Sequence, residues 1–396
     1  MPAVGYLSGA LRVSSRPEAE AYGPRTHLVA GINAFRFLGW QVLPYVYGDS
    51  VPVGWIRGSE QQMQSSLIKR LGSDVVRLLL RPVHQRRAWR SLGGKVDWVY
   101  ERFALFQAVG LPFKRHRIPW LLEVNAPHSL VSRVEKRSVL ISLASRLEMQ
   151  AFRQCDIMVV GSQLLKEILV DNYHLDPQKM LVVPMGVDTH TFDPQTTQAR
   201  RVFEGPTIGY VGGLNNWQAL DLLLRTAHDV QQEGVCWNII VVGDGPMRME
   251  LEALAESLGM SDRVYFAGAV DHSEVPVWIA GMDLGYSGQL AHEGGEIYLS
   301  PLKLYEYLAM GKPVIASEFE DSIALVKTRP WGYCFRPGDK GSLAAALRQS
   351  WRHPEAWEPS GREARRLIVQ EHSWEVRFGD LISRATAMLG RGSGGA

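Results

Sequence analysis

The sequence predicts an α/β protein of two domains, each a Rossmann-like, doubly wound sheet of parallel strands. The chain has 396 residues, more than one hydrophobic core usually holds. Short apolar runs alternate with amphipathic helical patterns, as in βαβ units. A polar stretch at residues 192–205 interrupts this alternation, which then restarts. We therefore expect a first domain over 1–196, a second over 197–373 and a terminal helix over 374–389.

In the first half, a strand at residues 3–7 precedes a helix that Pro24 opens. Its apolar stripe runs from Leu28 to Leu38, and Gly39 ends it. The later apolar runs predict strands at 40–47, 75–80, 96–100, 120–124, 157–160 and 181–184. Helical spacing predicts helices at 138–154 and 163–172.

In the second half, the same patterns predict strands at 207–211, 237–242, 264–266, 283–286, 314–316 and 331–335. Helices are expected at 217–230, 249–258, 275–280 and 342–351. The most informative stretch is Ser300–Ser317. It predicts a short helix with Ser300 as N-cap and Pro301 as first residue, stopped by Gly311 and Pro313.

Glu306 is unusual because it lies inside this helix among apolar residues. A buried carboxylate without partners costs several kcal/mol, on the order of the desolvation of a charge. The vicinal hydroxyls of a ligand would be suitable donors, since a carboxylate only accepts hydrogen bonds. The alternative is that Glu306 caps a neighbouring backbone or pairs with a nearby arginine.

Composition excludes several classes of protein. No apolar run is long enough to span a bilayer, and the first residues do not read as a signal peptide. The three cysteines are far apart, as expected of reduced thiols. These features predict a cytoplasmic protein. No nucleotide-binding G-x-G-x-x-G fingerprint with a following ribose acid, Walker A, H-E-x-x-H or G-x-S-x-G motif occurs.

Charge is unevenly distributed along the chain. Residues 1–196 carry 24 Lys and Arg against 16 Asp and Glu, a net charge of +8, and the remainder has −6. The basic residues cluster at 81–90 and 114–117, near Trp120. They are either a solvated surface or a contact for anionic lipid or an acidic acceptor. Nucleic-acid binding is not expected, because no recognisable module is present.

Two turns in the first half end strands where doubly wound folds bind ligands. The first contains Gly23, Arg25 and His27 at a helix start, which is either an anion site or a plain helix N-terminus. The second contains Asn125 and His128 after the strand at 120–124. A histidine alone is more often a surface residue than a catalyst.

Together these blocks resemble the retaining family 4 glycosyltransferases, which have the GT-B fold. The resemblance runs from Val4 to about Leu389. It is strongest at Ser300–Val314, and weaker matches occur at 97–103, 122–127, 186–188, 211–214 and 243–246. It implies two Rossmann-like domains facing a central cleft, with the terminal helix crossing back to the first domain.

The resemblance implies roles for particular residues. Glu306 would bind the ribose hydroxyls of the donor nucleotide. Gly23 and His27 would match a Gly-x-x-x-His opening near the diphosphate and acceptor, and Asn125 a position beside the reacting sugar. The implied catalytic residues are Asn125, His27 and Lys303. The implied donor-binding residues are Glu306, Tyr298, Ser300, Leu302, Gly212, Gly213, Gly243, Gly23 and Arg25.

Three positions depart from the family pattern. Tyr298 stands where many members have a first glutamate, which the branch with Ser-Pro-Leu-Lys often lacks. Glu293 and Glu296, just upstream, are the candidates to reach the donor sugar instead. Gly213 and Gln218 stand where many members carry the arginine and lysine that neutralise the diphosphate. The available substitutes are Lys303 and Arg25.

The sequence and the resemblance therefore predict a retaining, metal-independent, hexosyltransferase-like enzyme that moves a sugar from a nucleoside-diphosphate donor to a hydroxyl acceptor, with no cofactor. Its role would be in polysaccharide, glycolipid or glycoconjugate biosynthesis. The acceptor would be a glycan, a lipid-linked glycan or a small molecule, with peripheral contact at the inner membrane face. The alternatives are a non-catalytic nucleotide-sugar binder and a GT-B sugar-nucleotide epimerase.

Overall fold

A computed structural model describes residues 1–18, 22–52, 66–129, 138–290 and 300–392 of the chain. The chain divides into two compact units, Met1–Pro184 with Trp374–Ala396, and Met185–Ser373. The first unit therefore ends before residue 196, and the polar stretch 192–205 belongs wholly to the second. Its Phe192 is buried, so this stretch is anchored in the second unit.

The first unit is built on a parallel sheet in the order β2-β1-β3-β4-β5-β6. Its strands are β1 (Ala3–Ser8), β2 (Gln41–Val46), β3 (Trp98–Arg102), β4 (Trp120–Val124), β5 (Ile157–Val160) and β6 (Met180–Val182). Its helices are α1 (Tyr22–Phe37), α2 (Leu67–Leu92), α3 (Leu111–Arg115), α4 (Ile141–Gln154), α5 (Gln163–Tyr173) and, from the end of the chain, α13 (Trp374–Gly392). Phe378 of α13 packs on Phe35 of α1, with ring centroids 5.1 Å apart.

The second unit has a parallel sheet in the order β12-β11-β10-β7-β8-β9. Its strands are β7 (Thr207–Val211), β8 (Asn238–Val242), β9 (Val264–Gly268), β10 (Leu284–Ser287), β11 (Val314–Ser317) and β12 (Gly332–Phe335). Its helices are α6 (Leu220–Gln231), α7 (Arg248–Ser257), α8 (Val275–Ala280), α9 (Leu302–Ala309), α10 (Glu320–Leu325), α11 (Lys340–Arg352) and α12 (Trp357–Glu371).

Both faces of the second sheet are buried. Ile239 and Val241 of β8 belong to one apolar cluster, and Ile240 and Val242 belong to the other. Successive side chains of a strand point to opposite faces, so a sheet covered on both sides has continuous apolar strands. This explains why the sequence shows unbroken apolar runs, and it confirms the predicted class of two Rossmann-like units.

Residues 75–80 are not the predicted strand, because they lie inside the long helix α2. The run was misread because several of its apolar side chains point to solvent and not to a sheet. Helix α1 begins at Tyr22, before Pro24. Trp120 is fully buried in β4, so it adds nothing to the surface beside the basic clusters.

Sequence patterns also missed α12, which carries Pro359 and Gly361 in its first turns. Proline is tolerated there because the first amides of a helix have no intrahelical partner. A Cβ on Gly361 would lie 1.9 Å from the Gly311 carbonyl oxygen. The glycine therefore allows α12 to pack closely against the end of α9. No helix in the described ranges has the length and apolar composition that a membrane crossing needs.

Candidate active site

The strand order of the second unit identifies its ligand-binding edge. If the six strands are numbered 1 to 6 in chain order, starting with β7, their order across the sheet from β9 to β12 is 3-2-1-4-5-6. The chain therefore reverses the direction in which it adds strands between β7 and β10. In such sheets ligands bind beyond the carboxyl ends of the strands at this reversal. We call the residues there the switch-point site. It contains the turn after β7, the end of β10 and helix α9.

Helix α9 is fixed to the end of β7 by Tyr307. The Tyr307 hydroxyl accepts a 2.8 Å hydrogen bond from the Val211 amide, and the ring is fully buried. Gly311 has a φ of +66°, as expected of a glycine that ends a helix. The tyrosine anchor therefore sets the position of Lys303 and Glu306 relative to the turn after β7.

Ser300 is not the N-cap of α9, because the helix begins at Leu302 and Pro301 is the cap residue. The Ser300 hydroxyl instead donates to the Asp321 carboxylate and accepts from the Met185 amide at 3.3 Å. Ser300 thus ties the start of α9 to two other segments of its unit. The part of Ser300 in donor binding stays a prediction, as does that of Leu302.

Lys303 brings its cation to the turn after β7. Its Nζ donates to the Gln218 side-chain oxygen at 2.6 Å and lies 4.1 Å from the centre of the Tyr210 ring. Burial lowers the pKa of Lys303 to about 7, although Glu306 opposes the shift. The ammonium therefore reaches the side chain of Gln218, the position where the family pattern led us to expect a lysine.

Glu306 lies one turn further along α9, with only 12% of its side chain exposed. Burial raises its pKa to about 7, although Lys303 opposes the shift. The His272 ring lies nearby, with its Nε2 4.0 Å from Oε1. Within the described ranges the carboxylate accepts no hydrogen bond, so neither a backbone cap nor an arginine partner satisfies it.

Two glycine turns form the floor of this site. Gly243 has a φ of +135°, and a Cβ there would lie 1.9 Å from the Gly212 carbonyl oxygen. The Gly212 amide donates to the Val242 carbonyl at 2.9 Å. The Gly213 amide has no acceptor in the part of the chain that the structure describes. Of the Gly212 and Gly213 amides, both expected to face a phosphate, only that of Gly213 is therefore available among the described residues to donate a hydrogen bond to a ligand.

Three of the expected residues, Tyr298, Glu293 and Glu296, lie outside the described residues. Sequence reasoning missed Gln289, which follows β10 at the same edge. It is buried, and its side-chain oxygen has no hydrogen-bond partner among the residues that the structure describes. Its position just after an apolar strand was the available signal.

In the first unit, Glu123 at the end of β4 holds a buried polar cluster together. Its carboxylate accepts hydrogen bonds from the Tyr100 hydroxyl at 2.7 Å and the Asn125 amide at 2.6 Å. His27 Nδ1 lies 3.2 Å away, and Arg102 Nε lies 3.6 Å away. His27 and Asn125, predicted separately, are thus brought together by a residue that sequence reasoning had not selected.

The protonation states in this cluster follow from burial and charge. Burial lowers the pKa of His27 to about 4, although Glu123 opposes the shift, so the imidazole is neutral at pH 7. Burial alone would raise the pKa of Glu123. His27, Arg102 and the two hydrogen bonds outweigh burial and hold this pKa below its usual value. The cluster therefore contains an ionised carboxylate beside a neutral histidine.

Gly23 and Arg25 lie in the first turn of α1. A Cβ on Gly23 would have no atom within 4 Å, so the glycine borders open space. Arg25 donates to the Arg16 carbonyl at 2.8 Å and to the Ser15 carbonyl at 3.4 Å. The guanidinium is thus engaged with the loop after β1.

Comparison with known proteins assigns the family. Residues 205–353 match the model of glycosyl transferases group 1, and residues 60–191 match the model of glycosyltransferase family 4. Together the two matches cover most of the chain. The chain belongs to the group 1, family 4 glycosyltransferases.

Among curated relatives, this glycosyltransferase is 24% identical over 373 residues to the 2-deoxystreptamine glucosyltransferase of Streptomyces kanamyceticus, covering 89% of the chain and 94% of the relative. It is 28% identical over 193 residues to the D-rhamnosyltransferase WbpZ of Pseudomonas aeruginosa, covering 47% of the chain and 48% of the relative. For this and several other relatives the chain spans only about half of their length.

A solved structure of Anabaena HepE in complex with UDP has the same fold. The TM-score is 0.61 at 14% identity, covering 98% of this chain and 100% of that chain. In the described ranges no group of three His, Cys, Asp or Glu side chains could hold a metal ion. The expected metal independence stays a prediction.

Proposed function

We propose that this glycosyltransferase moves a sugar from a nucleoside-diphosphate donor to a hydroxyl acceptor, with the nucleotide bound at the switch-point site. One observation carries the proposal. A largely buried lysine and a largely buried glutamate lie one turn apart on α9, and within the described residues neither has a close partner of opposite charge. Their chemistry matches the two polar parts of a nucleoside diphosphate, an anion and a vicinal diol.

Lys303 would bind the diphosphate and stabilise it as the leaving group. Negative charge develops on the diphosphate as the glycosidic bond breaks, and a fixed cation in a dry site lowers that barrier. An anionic ligand also favours the charged form of the ammonium, which removes the cost of burying it. The Gly213 amide would donate to the same phosphates. Gly243 and Gly212 would act by allowing the two turns to approach closely.

Glu306 would accept hydrogen bonds from the two ribose hydroxyls. Such bonds would satisfy the carboxylate, which accepts no hydrogen bond from the described residues. Gln289, whose buried side-chain oxygen has no partner in the described part of the chain, would contribute a further acceptor. We assign it to the donor sugar because it follows β10.

His27 and Asn125 would serve the sugar and the acceptor. The neutral His27 ring can accept a proton on the nitrogen that does not face Glu123. Asn125 donates to Glu123, which leaves its own oxygen free to accept from a sugar hydroxyl. Glu123 would be a positioning residue that sets the orientation of both.

Retention at the anomeric carbon, independence from metal and a role in polysaccharide or glycoconjugate biosynthesis follow from the family resemblance. UDP, which HepE binds, and GDP are natural first probes. Retention is tested by the anomeric coupling constant of the product in proton NMR. Unchanged activity in excess EDTA would support metal independence.

The deciding experiment is a panel of nucleotide sugars scored by thermal shift and by release of free sugar. We expect one donor to raise the melting temperature and to be hydrolysed slowly, because water replaces a missing acceptor. The competing function is a non-catalytic binder, which the glycine and glutamine at positions 213 and 218 favour. A binder would show the thermal shift with no hydrolysis by any donor.

A further inference from the structure

Helix α2 presents an apolar surface to solvent where a polar one is expected. Ile68, Val76 and Leu79 are 82%, 48% and 68% exposed. With three further exposed residues they form a stripe that we call the α2 outer face, comprising Ile68, Leu71, Val75, Val76, Leu79 and Val83. Their spacing of three, four and seven places them on one side of the helix.

The opposite side of α2 is the one that packs on the protein. Its buried residues are Asp74, His84, Ala88 and Leu92. Asp74 accepts hydrogen bonds from the Ser138 hydroxyl and the Val139 amide, both at 2.8 Å. A buried carboxylate with these donors fixes the rotation of the helix, so the outer face cannot turn inward without breaking them.

Cations follow the apolar stripe along the same side of the helix. Arg86, Arg87 and Arg90 are exposed on the last turns of α2. The Trp89 ring stacks on His116 at 3.9 Å, which brings the exposed Arg115 and Arg117 alongside. We call these residues the basic rim: Arg86, Arg87, Arg90, Arg115 and Arg117. In the described ranges none of the five pairs with a carboxylate.

The charge of this surface has one sign. Helix α2 carries seven Lys and Arg and a single acidic residue, Asp74, which is buried. A second copy of the chain would bring the same cations and no exposed carboxylate from α2 to pair with them. An anionic bilayer supplies what this surface lacks, because phosphate headgroups meet the guanidinium groups and acyl chains cover the apolar stripe.

We propose that the α2 outer face and the basic rim dock this glycosyltransferase on an anionic lipid surface, with α2 lying in the plane of the interface. This assigns to named residues the contact that the charge asymmetry of the sequence had suggested. It does not depend on the proposed transfer reaction, because lipid binding can be measured without donor.

The test is co-sedimentation of the full chain with vesicles. We expect binding to vesicles of phosphatidylcholine and phosphatidylglycerol in a two-to-one ratio, and little binding to pure phosphatidylcholine. Surface charge is screened by salt, so binding should weaken as salt is raised. Equal binding to the two vesicles, or none to either, would overturn the proposal.

Two variants with matched controls separate the two parts of the surface. Ile68→Ser with Leu79→Ser should weaken binding at least about tenfold. Its control is Met249→Ser with Ile323→Ser, two exposed apolar residues of the second unit.

The basic rim is tested by Arg86→Gln, Arg87→Gln and Arg90→Gln together, which should weaken binding at least about tenfold. The control is the same change at the exposed Arg225, Arg352 and Arg366.

Both controls should bind like the unmodified chain, and all variants should keep its melting temperature and donor hydrolysis. If the α2 variants bind vesicles like their controls, the surface is not a lipid site. Sedimentation velocity adds a second criterion. If the chain is a dimer that Ile68→Ser with Leu79→Ser converts to a monomer, the face joins two copies and the lipid proposal fails.

Discussion

The two units hold their buried charges in opposite ways. In the first unit, Glu123 has two hydrogen bonds, with the neutral His27 ring and the Arg102 cation close by. In the second, among the described residues, Glu306 has only the His272 ring at 4.0 Å, and Lys303 has only a neutral amide oxygen as hydrogen-bond partner. The first group is complete without a ligand, and the second is not.

This difference distinguishes charged groups that hold other side chains in position from charged groups that bind a ligand. A buried charge that its neighbours satisfy contributes to the stability and rigidity of the fold. A buried charge without a partner destabilises the empty protein and is stabilised by a ligand that supplies one. Mutations should therefore act mainly on stability in the first unit and mainly on nucleotide binding and turnover in the second.

The largest effect is expected for Glu123→Ala. The change leaves Arg102, Tyr100 and Asn125 without their common acceptor, and breaking a buried charged network costs about 3–5 kcal/mol. Urea denaturation measures the loss, with the exposed Glu167→Ala on α5 as the control. If Glu123→Ala lowers the free energy of unfolding no more than Glu167→Ala does, the carboxylate does not hold the cluster together.

Lys303→Met should reduce turnover without reducing stability. Loss of the cation that faces the leaving diphosphate is expected to cost about 3 kcal/mol of barrier, on the order of a hundredfold in kcat. The melting temperature of the empty protein should stay constant or rise, because a buried cation is removed. The contrast is Lys312→Met, which loses a 2.9 Å hydrogen bond to the Ala280 carbonyl and should mainly lower stability. An equal loss of turnover and stability would make Lys303 a structural residue.

Glu306→Ala should weaken the binding of the matching nucleoside diphosphate at least tenfold. Hydrogen bonds to a charged group contribute about 1.5–3 kcal/mol each, and two ribose hydroxyls would lose their acceptor. Isothermal titration calorimetry measures the change, with the exposed Glu358→Ala on α12 as the control. Unchanged affinity would remove Glu306 from the nucleotide site.

The smallest effect is a pH dependence of stability. The pKa of Glu306 is raised to about 7, so the folded chain holds this proton more tightly than the unfolded chain. Its stabilising contribution is present at low pH and is lost as the pH rises from about 4.5 to about 7. Glu306→Gln should therefore melt higher than the unmodified protein at pH 8 and no higher at pH 4.5. Thermal melts of the two proteins without nucleotide, at both pH values, check the sign.

The contribution of His27 to stability should depend on pH with the opposite sign to that of Glu306. Its pKa is lowered to about 4, so the contribution of its neutral form to stability is lost as the pH falls from about 6.5 towards 4. Proton NMR of the His27 ring should show titration in acid only. A midpoint near 6.5 would mean that the ring is not buried in the Glu123 cluster.

The fold class was predictable because both sheets are covered on both faces. Parallel strands of this kind appear as unbroken apolar runs between helical patterns. The same rule explains the failure at 75–80, where apolar residues face solvent on a helix. A rule that equates apolar residues with the core cannot distinguish a buried strand from an exposed apolar stripe.

The candidate site was predictable residue by residue but not as a set of contacts. The position of Glu306 inside an apolar helix marked it as unusual, and its carboxylate accepts no hydrogen bond from the residues that the structure describes. Nothing in the sequence indicated that Lys303 reaches Gln218, since the two are far apart along the chain. Glu123 was overlooked because a single acidic residue in an apolar strand has no partners that can be read from sequence.

The sequence by itself determined the order of strands and helices, the two-unit organisation and the types of side chain available for chemistry. These follow from local periodicity and from turn residues, which act over a few positions. Only the tertiary structure decided which charges are satisfied and which are not. That distinction depends on distances between side chains on different strands and helices, and burial makes an unsatisfied charge costly enough to matter.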